Sequence, residues 1–204
     1  MHPYATDSPE RRQIPLALAV VSVVLALALS RLPWHAPWWL DAPSVVAFYG
    51  ALYALFDRVL WRTTLLRKLG VVRVPNLAGN WEGEVHSARD GDTSRHSISL
   101  LVTQTWTCLS VVVRTGYSRS RSLVAALHID DDPDGPCLVY EYLNKPEPAA
   151  VESMHMHHGT AHLIYDAKDQ SLSGEYYTGR DRQTYGGLRV VRQRKDENQP
   201  QEQS

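Results

Sequence analysis

The sequence has few cysteines and almost no net charge. Its 204 residues include two cysteines, Cys108 and Cys137, and the formal net charge at pH 7 is -1. Both cysteines lie in apolar stretches, which favours reduced, buried thiols in a cytoplasmic domain and leaves a disulfide as the alternative. Proteins that bind a nucleic-acid backbone usually carry a strongly basic face. We therefore expect no direct binding of DNA or RNA.

The local sequence patterns of catalysis are also missing. The chain shows no nucleophile elbow, phosphate-binding glycine loop, paired catalytic acids or cysteine–histidine pair. We therefore expect a binding protein, with no catalytic residues, rather than an enzyme. A catalytic site assembled from separate strands would leave no local pattern, so this expectation depends on local motifs alone.

Two apparent metal-binding patterns are better interpreted as loops. Residues 130–141 fit the calcium-loop pattern letter by letter, but the flanking segments alternate as strands, whereas a calcium loop needs a helix on each side. Residues 154–158 combine Met and His in the longest loop, with no Cys or carboxylate at ligand spacing. We expect neither a metal site nor a resident cofactor.

Two apolar segments near the N-terminus predict a transmembrane hairpin. Residues 14–32 carry no charge before Arg31 and approach the ~20 residues that cross a bilayer. Residues 44–62 form a weaker candidate, because they include Asp57 and Arg58. A cleaved signal peptide is the alternative interpretation of the first segment, but it leaves the second one unexplained.

The basic residues predict how this hairpin is oriented. Lys and Arg flank the outer ends of the two segments, whereas the linker 33–43 contains neither. By the positive-inside rule, both ends lie in the cytoplasm and the linker lies outside. Aromatic residues prefer the membrane surface, and the tryptophans that fit such belts are Trp34, Trp38, Trp39 and Trp61.

Small residues recur at four-residue spacing in both predicted helices. Such rows allow helices to approach closely in lipid, either within one hairpin or between copies. Asp57 is the polar exception, and we expect it to extend toward the membrane surface with Arg58 rather than to bond a partner helix. The small residues are Ser22, Ala26 and Ser30 in the first helix, and Ala47, Gly50, Ala51 and Ala54 in the second.

From residue 76 onward, short alternating runs separated by turn residues predict an all-β domain. Eight antiparallel strands bury their edges best by closing into an up-and-down barrel, and a two-sheet sandwich is the alternative. The domains are then 1–75 for the tail and membrane hairpin, 76–194 for the barrel and 195–204 for a disordered tail. The predicted strands are 79–87, 95–104, 108–115, 120–129, 137–143, 159–165, 171–178 and 187–194.

Two of these strands carry tyrosines that share a face, with polar and basic residues near the strand end. Bases stack on such rings, amides and hydroxyls read base edges, and arginines bind phosphate oxygens. The residue types leave a second interpretation open, in which the tyrosines only fill the barrel and the arginines lie in a solvated turn. The candidate residues are Tyr140, Tyr142, Asn144, Tyr176, Thr178, Arg180 and Arg182.

Several motifs in fixed order resemble one known family. They are LAGNWEG at 77–83, YEYLNKP at 140–146, HGT at 158–160 and LSGEYYTGR at 172–180, with Gly186 following. The chain resembles the CBASS antiphage effectors with two transmembrane helices and a β-strand-rich sensor, which are STING-like in sensing cyclic dinucleotides. The likeness covers nearly the whole chain.

This resemblance implies a function. In that family a partner nucleotidyltransferase makes a cyclic dinucleotide, the barrel binds it, the protein forms homo-oligomers, and the helices disrupt the bacterial inner membrane so that the infected cell dies. The resemblance adds Trp81 and Arg121 to the ligand candidates. A lipocalin-like membrane-anchored carrier of an apolar molecule is the alternative function, and an envelope scaffold without ligand is a third.

Overall fold

Ten strands and three helices make up the part of the chain described by the computed structural model, which covers residues 1–31, 41–87, 95–129, 134–151, 155–180 and 184–193. The predicted C-terminal tail and the linker tryptophans Trp34, Trp38 and Trp39 lie outside it. The helices are α1 (Glu10–Ser30), α2 (Asp41–Arg58) and α3 (Thr64–Lys68). The strands are β1 (His2–Pro3), β2 (Ala5–Thr6), β3 (Gly79–His86), β4 (Arg95–Gln104), β5 (Cys108–Arg114), β6 (Ser118–His128), β7 (Cys137–Pro146), β8 (His157–Asp166), β9 (Ser171–Thr178) and β10 (Tyr185–Arg192).

Strands β3 to β10 close into an eight-stranded barrel. Each pairs antiparallel with the next, and β10 returns to pair with β3. The predicted barrel is confirmed, and β4 and β9 keep their predicted bounds. Strand β7 runs beyond the predicted end at 143, because residues 144–146 continue its ladder with β6. Neither Cys108 nor Cys137, both among the described residues, forms a disulfide.

The barrel wall has one weak seam, between β5 and β6. These strands pair directly over only three residue pairs, 112–114 with 119–121. Beyond them the first residues of the chain fill the gap, with β1 antiparallel to β5 and β2 parallel to β6. We expected a tail before residue 14 and predicted no strand there. Two strands of two residues are too short to produce an alternating pattern, so their pairing is not readable from the sequence.

Helices α1 and α2 pack against each other. They join the barrel at the end that holds the β4–β5 turn. Among the described residues, α1 is the one helix that is both long and apolar enough to cross a membrane, with a mean hydropathy of 2.3. It begins at Glu10, earlier than the predicted residue 14. Helix α2 carries charges at both ends, Asp41, Asp57 and Arg58. The second membrane span therefore stays a prediction.

Large aromatic rings fill the interior where the helices meet the barrel. Trp61 and Trp106 are almost fully buried, and Phe56 packs edge-on against Trp106 with 5.2 Å between ring centroids. Our expectation for Trp61 at the membrane surface is wrong, because its ring lies inside the protein and 6.2 Å from that of Trp106. Burying large aromatic rings supplies much of the stability of a small domain.

Asp57 also differs from the expectation. Its carboxylate accepts hydrogen bonds from the backbone N–H of Thr107 at 2.8 Å and from the Thr107 hydroxyl at 2.7 Å. Its backbone oxygen accepts from the N–H of Trp106 at 3.0 Å. The residue therefore joins the end of α2 to the β4–β5 turn, instead of extending toward the membrane surface with Arg58.

The small residues of the two helices have different surroundings. Ser22 is buried and donates to the Leu18 backbone oxygen at 2.6 Å, and Ala26 is half-buried, whereas Ser30 is exposed. The small residues of α2 all face away from the rest of the chain: Ala47, Gly50, Ala51 and Ala54. Their role in helix packing stays a prediction. Of these small residues, only Ser22 and Ala26 are at least half-buried within one chain.

Candidate ligand-binding pocket

The two ends of the barrel are built differently. The β4–β5 turn meets the helices at one end, and the β5–β6 and β9–β10 turns lie at the other. A cavity of about 220 Å³ opens at this second end. It is lined by aromatic, hydroxyl, imidazole and aliphatic side chains: Val85, Ser87, His96, Ile98, Val113, Thr115, Tyr117, Ser118, Ser120, Tyr140, Tyr142, Asn144, His157, Ala161, Tyr176, Thr178, Thr184 and Leu188.

Tyr140 and Tyr142 form the aromatic wall of this cavity. They are two residues apart on β7, so both side chains point inward, and their ring centroids lie 6.0 Å apart. Tyr140 is 2% exposed, and its burial, with a smaller contribution from Tyr142, raises the pKa of its hydroxyl well above the ordinary value. The ring is therefore neutral at all physiological pH values and offers a flat face without repelling an anion.

Gly159 makes room for the Tyr142 ring. The two residues oppose each other in the β7–β8 ladder. A Cβ atom at position 159 would lie 2.4 Å from the Tyr142 ring and 2.7 Å from the Tyr177 backbone oxygen. Since real Cβ atoms do not approach so closely, glycine is required for this wall of the pocket.

Hydrogen bonds hold two polar residues of the lining in place. The Ser120 hydroxyl donates to Asn144 Oδ1 at 2.7 Å, which fixes the orientation of the buried amide. The Thr178 hydroxyl accepts from the Thr184 N–H at 2.7 Å, which ties the ends of the β9–β10 turn together. Both hydrogen bonds hold side chains in one orientation at the cavity wall. Such preorganisation reduces the entropy that is lost when a ligand binds.

The structure brings five of the nine predicted ligand residues to the cavity. They come from two strands, β7 and β9, that the chain separates by about thirty residues but that both pair with β8. These residues are Tyr140, Tyr142, Asn144, Tyr176 and Thr178.

Trp81 and Arg121 are placed elsewhere. Trp81 is fully buried beneath the cavity, where its ring meets Tyr165 edge-on and Arg192 stacks on it at 4.5 Å. Arg121 alternates with inward serines on β6, so its side chain lies on the outer face of the barrel. Neither residue lines the pocket, and their assignment as ligand residues is not supported by the geometry.

The two arginines of the β9–β10 turn differ in what can be said of them. Arg180 is exposed and lies two residues after Thr178, the last pocket residue of β9, so it is placed at the mouth rather than in the lining. Arg182 lies outside the described residues. The interaction of Arg180 with a ligand stays a prediction.

The sequence analysis missed several lining residues. Ser118 and Ser120 stand two apart on β6, and this inward row of serines between arginines is a readable sign of a polar interior. His96 and His157 come from β4 and β8 and are the basic side chains of the described lining, which contains neither Lys nor Arg. Only the closure of the barrel brings them to one cavity.

Within the described residues, no group of three or more His, Cys, Asp or Glu side chains is placed to hold a metal. Glu141, the last position of the calcium-loop pattern, lies in the middle of β7, and its carboxylate bonds His158 Nδ1 at 3.1 Å. Residues 130–133 of the calcium-loop pattern and residue 154 of the Met/His pattern lie outside the described part.

An apolar helix joined to a barrel with an open, tyrosine-walled pocket is an arrangement suited to a membrane-associated receptor for a small molecule. Residues 72–192 match the family model described as the cyclic dinucleotide receptor domain of Cap15, and residues 12–62 match that of the Cap15 TM helices. The chain is also 31% identical over 191 residues to CD-NTase-associated protein 15 of Yersinia aleksiciae, with 89% of each chain covered. The chain belongs to the Cap15 family of CBASS-associated receptors, which confirms the resemblance seen in the motifs.

Proposed function

We propose that this protein is an antiphage effector activated by a cyclic dinucleotide. A partner nucleotidyltransferase makes the ligand, the cytoplasmic barrel binds it, and occupied copies assemble. The assembled membrane helices then disrupt the bacterial inner membrane. The observation that carries this proposal is the tyrosine-walled cavity at the end of the barrel remote from the helices.

The lining suits the chemistry of a nucleotide. The faces of Tyr142 and Tyr176 provide stacking surfaces for bases, a contact worth about 1–3 kcal/mol per base. The amide of Asn144 and the hydroxyls beside it provide donors and acceptors for base edges. Phosphate oxygens accept hydrogen bonds from imidazole N–H groups, which His96 and His157 supply.

The size of the cavity indicates that part of the ligand stays at the mouth. Pockets for drug-sized ligands usually have roughly 300–1,000 Å³, more than the 220 Å³ found within one barrel. We therefore infer that bases enter and that some of the phosphate charge remains near Arg180. The lining combines tyrosine rings with hydroxyl, amide and imidazole groups, which suits a nucleotide better than a purely apolar molecule.

The helices are suited to assembly. We infer that α2 spans the membrane beside α1 and that its outward row of small residues meets a second copy. A Cβ atom added at Gly50 would meet no heavy atom within 4 Å in its own chain. Ligand that favours the assembled barrels raises the local concentration of hairpins, as any tether does.

Neighbouring tyrosines on β9 test ligand binding. Tyr176 lines the cavity, whereas Tyr177 is exposed on the outer face, where its hydroxyl bonds Glu175. With a panel of cyclic dinucleotides and calorimetry on the full chain in detergent, we expect Tyr176→Ala to reduce affinity ~10-fold or more and Tyr177→Ala to leave it unchanged. No binding of any panel member, or equal losses in both variants, would overturn the proposal.

A leakage assay tests assembly. In vesicles that contain a trapped dye and the full chain, we expect ligand to cause leakage. We expect Gly50→Leu to reduce it several-fold, because the larger side chain blocks close helix contact. Leu55→Ala, at another exposed position of α2, is the matched control. Unchanged leakage with Gly50→Leu would show that this row does not join copies.

A further inference from the structure

The first residues of the chain form part of the barrel wall and lead directly into the membrane helix α1. Residues 1–7, which we call the N-terminal strap, lie between β5 and β6, with Pro3 opposite Cys108 and Ala5 beside Ala126. Three residues after the strap ends, α1 begins at Glu10. Any movement of the strap is therefore a movement of the base of the membrane helix.

The strap is held in the seam by two ladders of two residue pairs each, by the buried ring of Tyr4 and by polar contacts at its two ends. His2 Nε2 lies within hydrogen-bond distance of Ser122 Oγ at 2.8 Å, and that oxygen also accepts from the N–H of Val111 at 2.9 Å. At the other end of the strap, both carboxylate oxygens of Asp7 accept from the N–H of Ile129 at 2.9 Å. Strands of two residues form few ladder hydrogen bonds, and such segments open more easily than the long strands of the barrel.

The junction with α1 contains buried charge. Glu10 is 4% exposed and accepts from the Ser8 hydroxyl at 2.5 Å and from Arg73. The Arg11 guanidinium stacks on Tyr4 at 4.4 Å and on Trp106 at 4.9 Å. Its Nε and Nη2 atoms are buried and have no hydrogen-bond partner among the described residues. Burying such donors without a partner is unfavourable, which brings the docked strap closer in free energy to a released one.

The same seam reaches the ligand pocket. Val113 and Ser120 oppose each other in the short β5–β6 ladder, and both line the cavity. The strap takes over where this ladder ends. A ligand that shifts the two strands apart or together at the pocket therefore changes the width of the groove in which the strap lies.

We propose that the strap holds α1 to the barrel in the resting state and that ligand in the pocket releases it, which frees the membrane helix to assemble with other copies. This inference rests on the proposed function, because it requires that ligand binds in the cavity. It explains why the chain places a strand before its membrane helix, rather than only a charged tail.

A disulfide between the strap and the barrel tests the release. Directly opposed residues of antiparallel strands have Cα atoms about 4.5–5.5 Å apart, a separation that a disulfide accepts. Pro3→Cys therefore places a thiol opposite the native Cys108. We expect the oxidised full chain in dye-loaded vesicles to bind the cyclic dinucleotide normally but to leak at least ~10-fold more slowly, and a reductant to restore leakage.

The controls separate this proposal from the proposed function. Pro3→Cys combined with Cys108→Ser cannot form the crosslink and should leak equally with and without oxidant. Absence of ligand binding in the parent chain would refute the proposed function. Normal binding together with full leakage from the oxidised protein, with crosslinking verified by mass spectrometry, would refute release of the strap.

A second variant covers the case in which the cysteine variant does not fold. Asp7→Ala removes the two contacts to Ile129, so we expect leakage without ligand to rise several-fold. Asp166→Ala is the matched control: Asp166 also accepts backbone N–H bonds, at 2.7 Å from Lys168, but in the β8–β9 turn away from the strap. Ligand-free leakage that is unchanged by Asp7→Ala would contradict a strap held by these contacts.

Discussion

The two ends of the barrel are formed by the same eight strands, but they differ in how the interior is filled and in how polar it is. At the end that meets the helices, Trp61, Trp81 and Trp106 are buried and pack with Leu77 and Phe56. At the remote end, the corresponding interior positions hold serines, histidines and tyrosines around an open cavity. One end is filled with apolar rings and the other leaves space and polar groups.

This difference shows how a small barrel combines stability with a binding site. Polar groups in a cavity contribute little to folding, and sites of this kind usually reduce stability. The tryptophan-rich end buries large apolar rings, which stabilise the fold, and it also joins the helices to the barrel. We expect substitutions at the two ends to separate stability from ligand affinity.

The largest expected effect is on stability, from Trp106→Ala at the closed end. The residue is 1% exposed and contacts Phe56, Trp61 and Arg11, so the loss should be about 3–5 kcal/mol of unfolding free energy. Urea unfolding of the full chain in detergent measures it. Tyr117→Ala, at the exposed rim of the open end, should change stability by less than about 0.5 kcal/mol. Similar losses of unfolding free energy in both variants would contradict the conclusion that the closed end provides most of the stability.

A smaller effect, on affinity, is expected from Gly159→Ala. The added methyl group displaces the Tyr142 ring and presses on the backbone of β9, so cyclic dinucleotide affinity should fall by about tenfold, which corresponds to ~1.4 kcal/mol. Gly187→Ala is the control, since its nearest contact would be an ordinary 3.7 Å. Calorimetry that finds equal affinities for the two variants would show that the Tyr142 wall is not part of the site.

The smallest effect is expected from Arg180→Ala at the mouth. Because its side chain is exposed, the attraction to phosphate is screened by water and salt, and affinity should fall about threefold to tenfold at low ionic strength. Arg121→Ala, on the outer face of β6, should leave affinity unchanged. Binding titrations at two salt concentrations distinguish the two. An Arg121 effect as large as that of Arg180 would place the ligand outside the cavity.

Local sequence patterns predict most of the architecture. Alternation and turn residues predict all eight barrel strands. Each strand has one buried face, so its inward-facing residues recur at every second position. The tyrosines of β7 and β9 were found in the same way. Arg121 shows the limit of this reasoning: its residue type suits a phosphate, but the parity of β6 places it outside, and parity depends on where the strand begins.

By itself the sequence determined the apolar helix, the alternating strands and the motifs that indicate the family, since each is written in neighbouring residues. Only the tertiary structure decided which end of the barrel is open, and that Asp57 and Trp61 belong to the junction with the β4–β5 turn. It also placed the first residues of the chain in the seam beside Cys108. These outcomes depend on contacts between residues far apart in the chain, which no local period encodes.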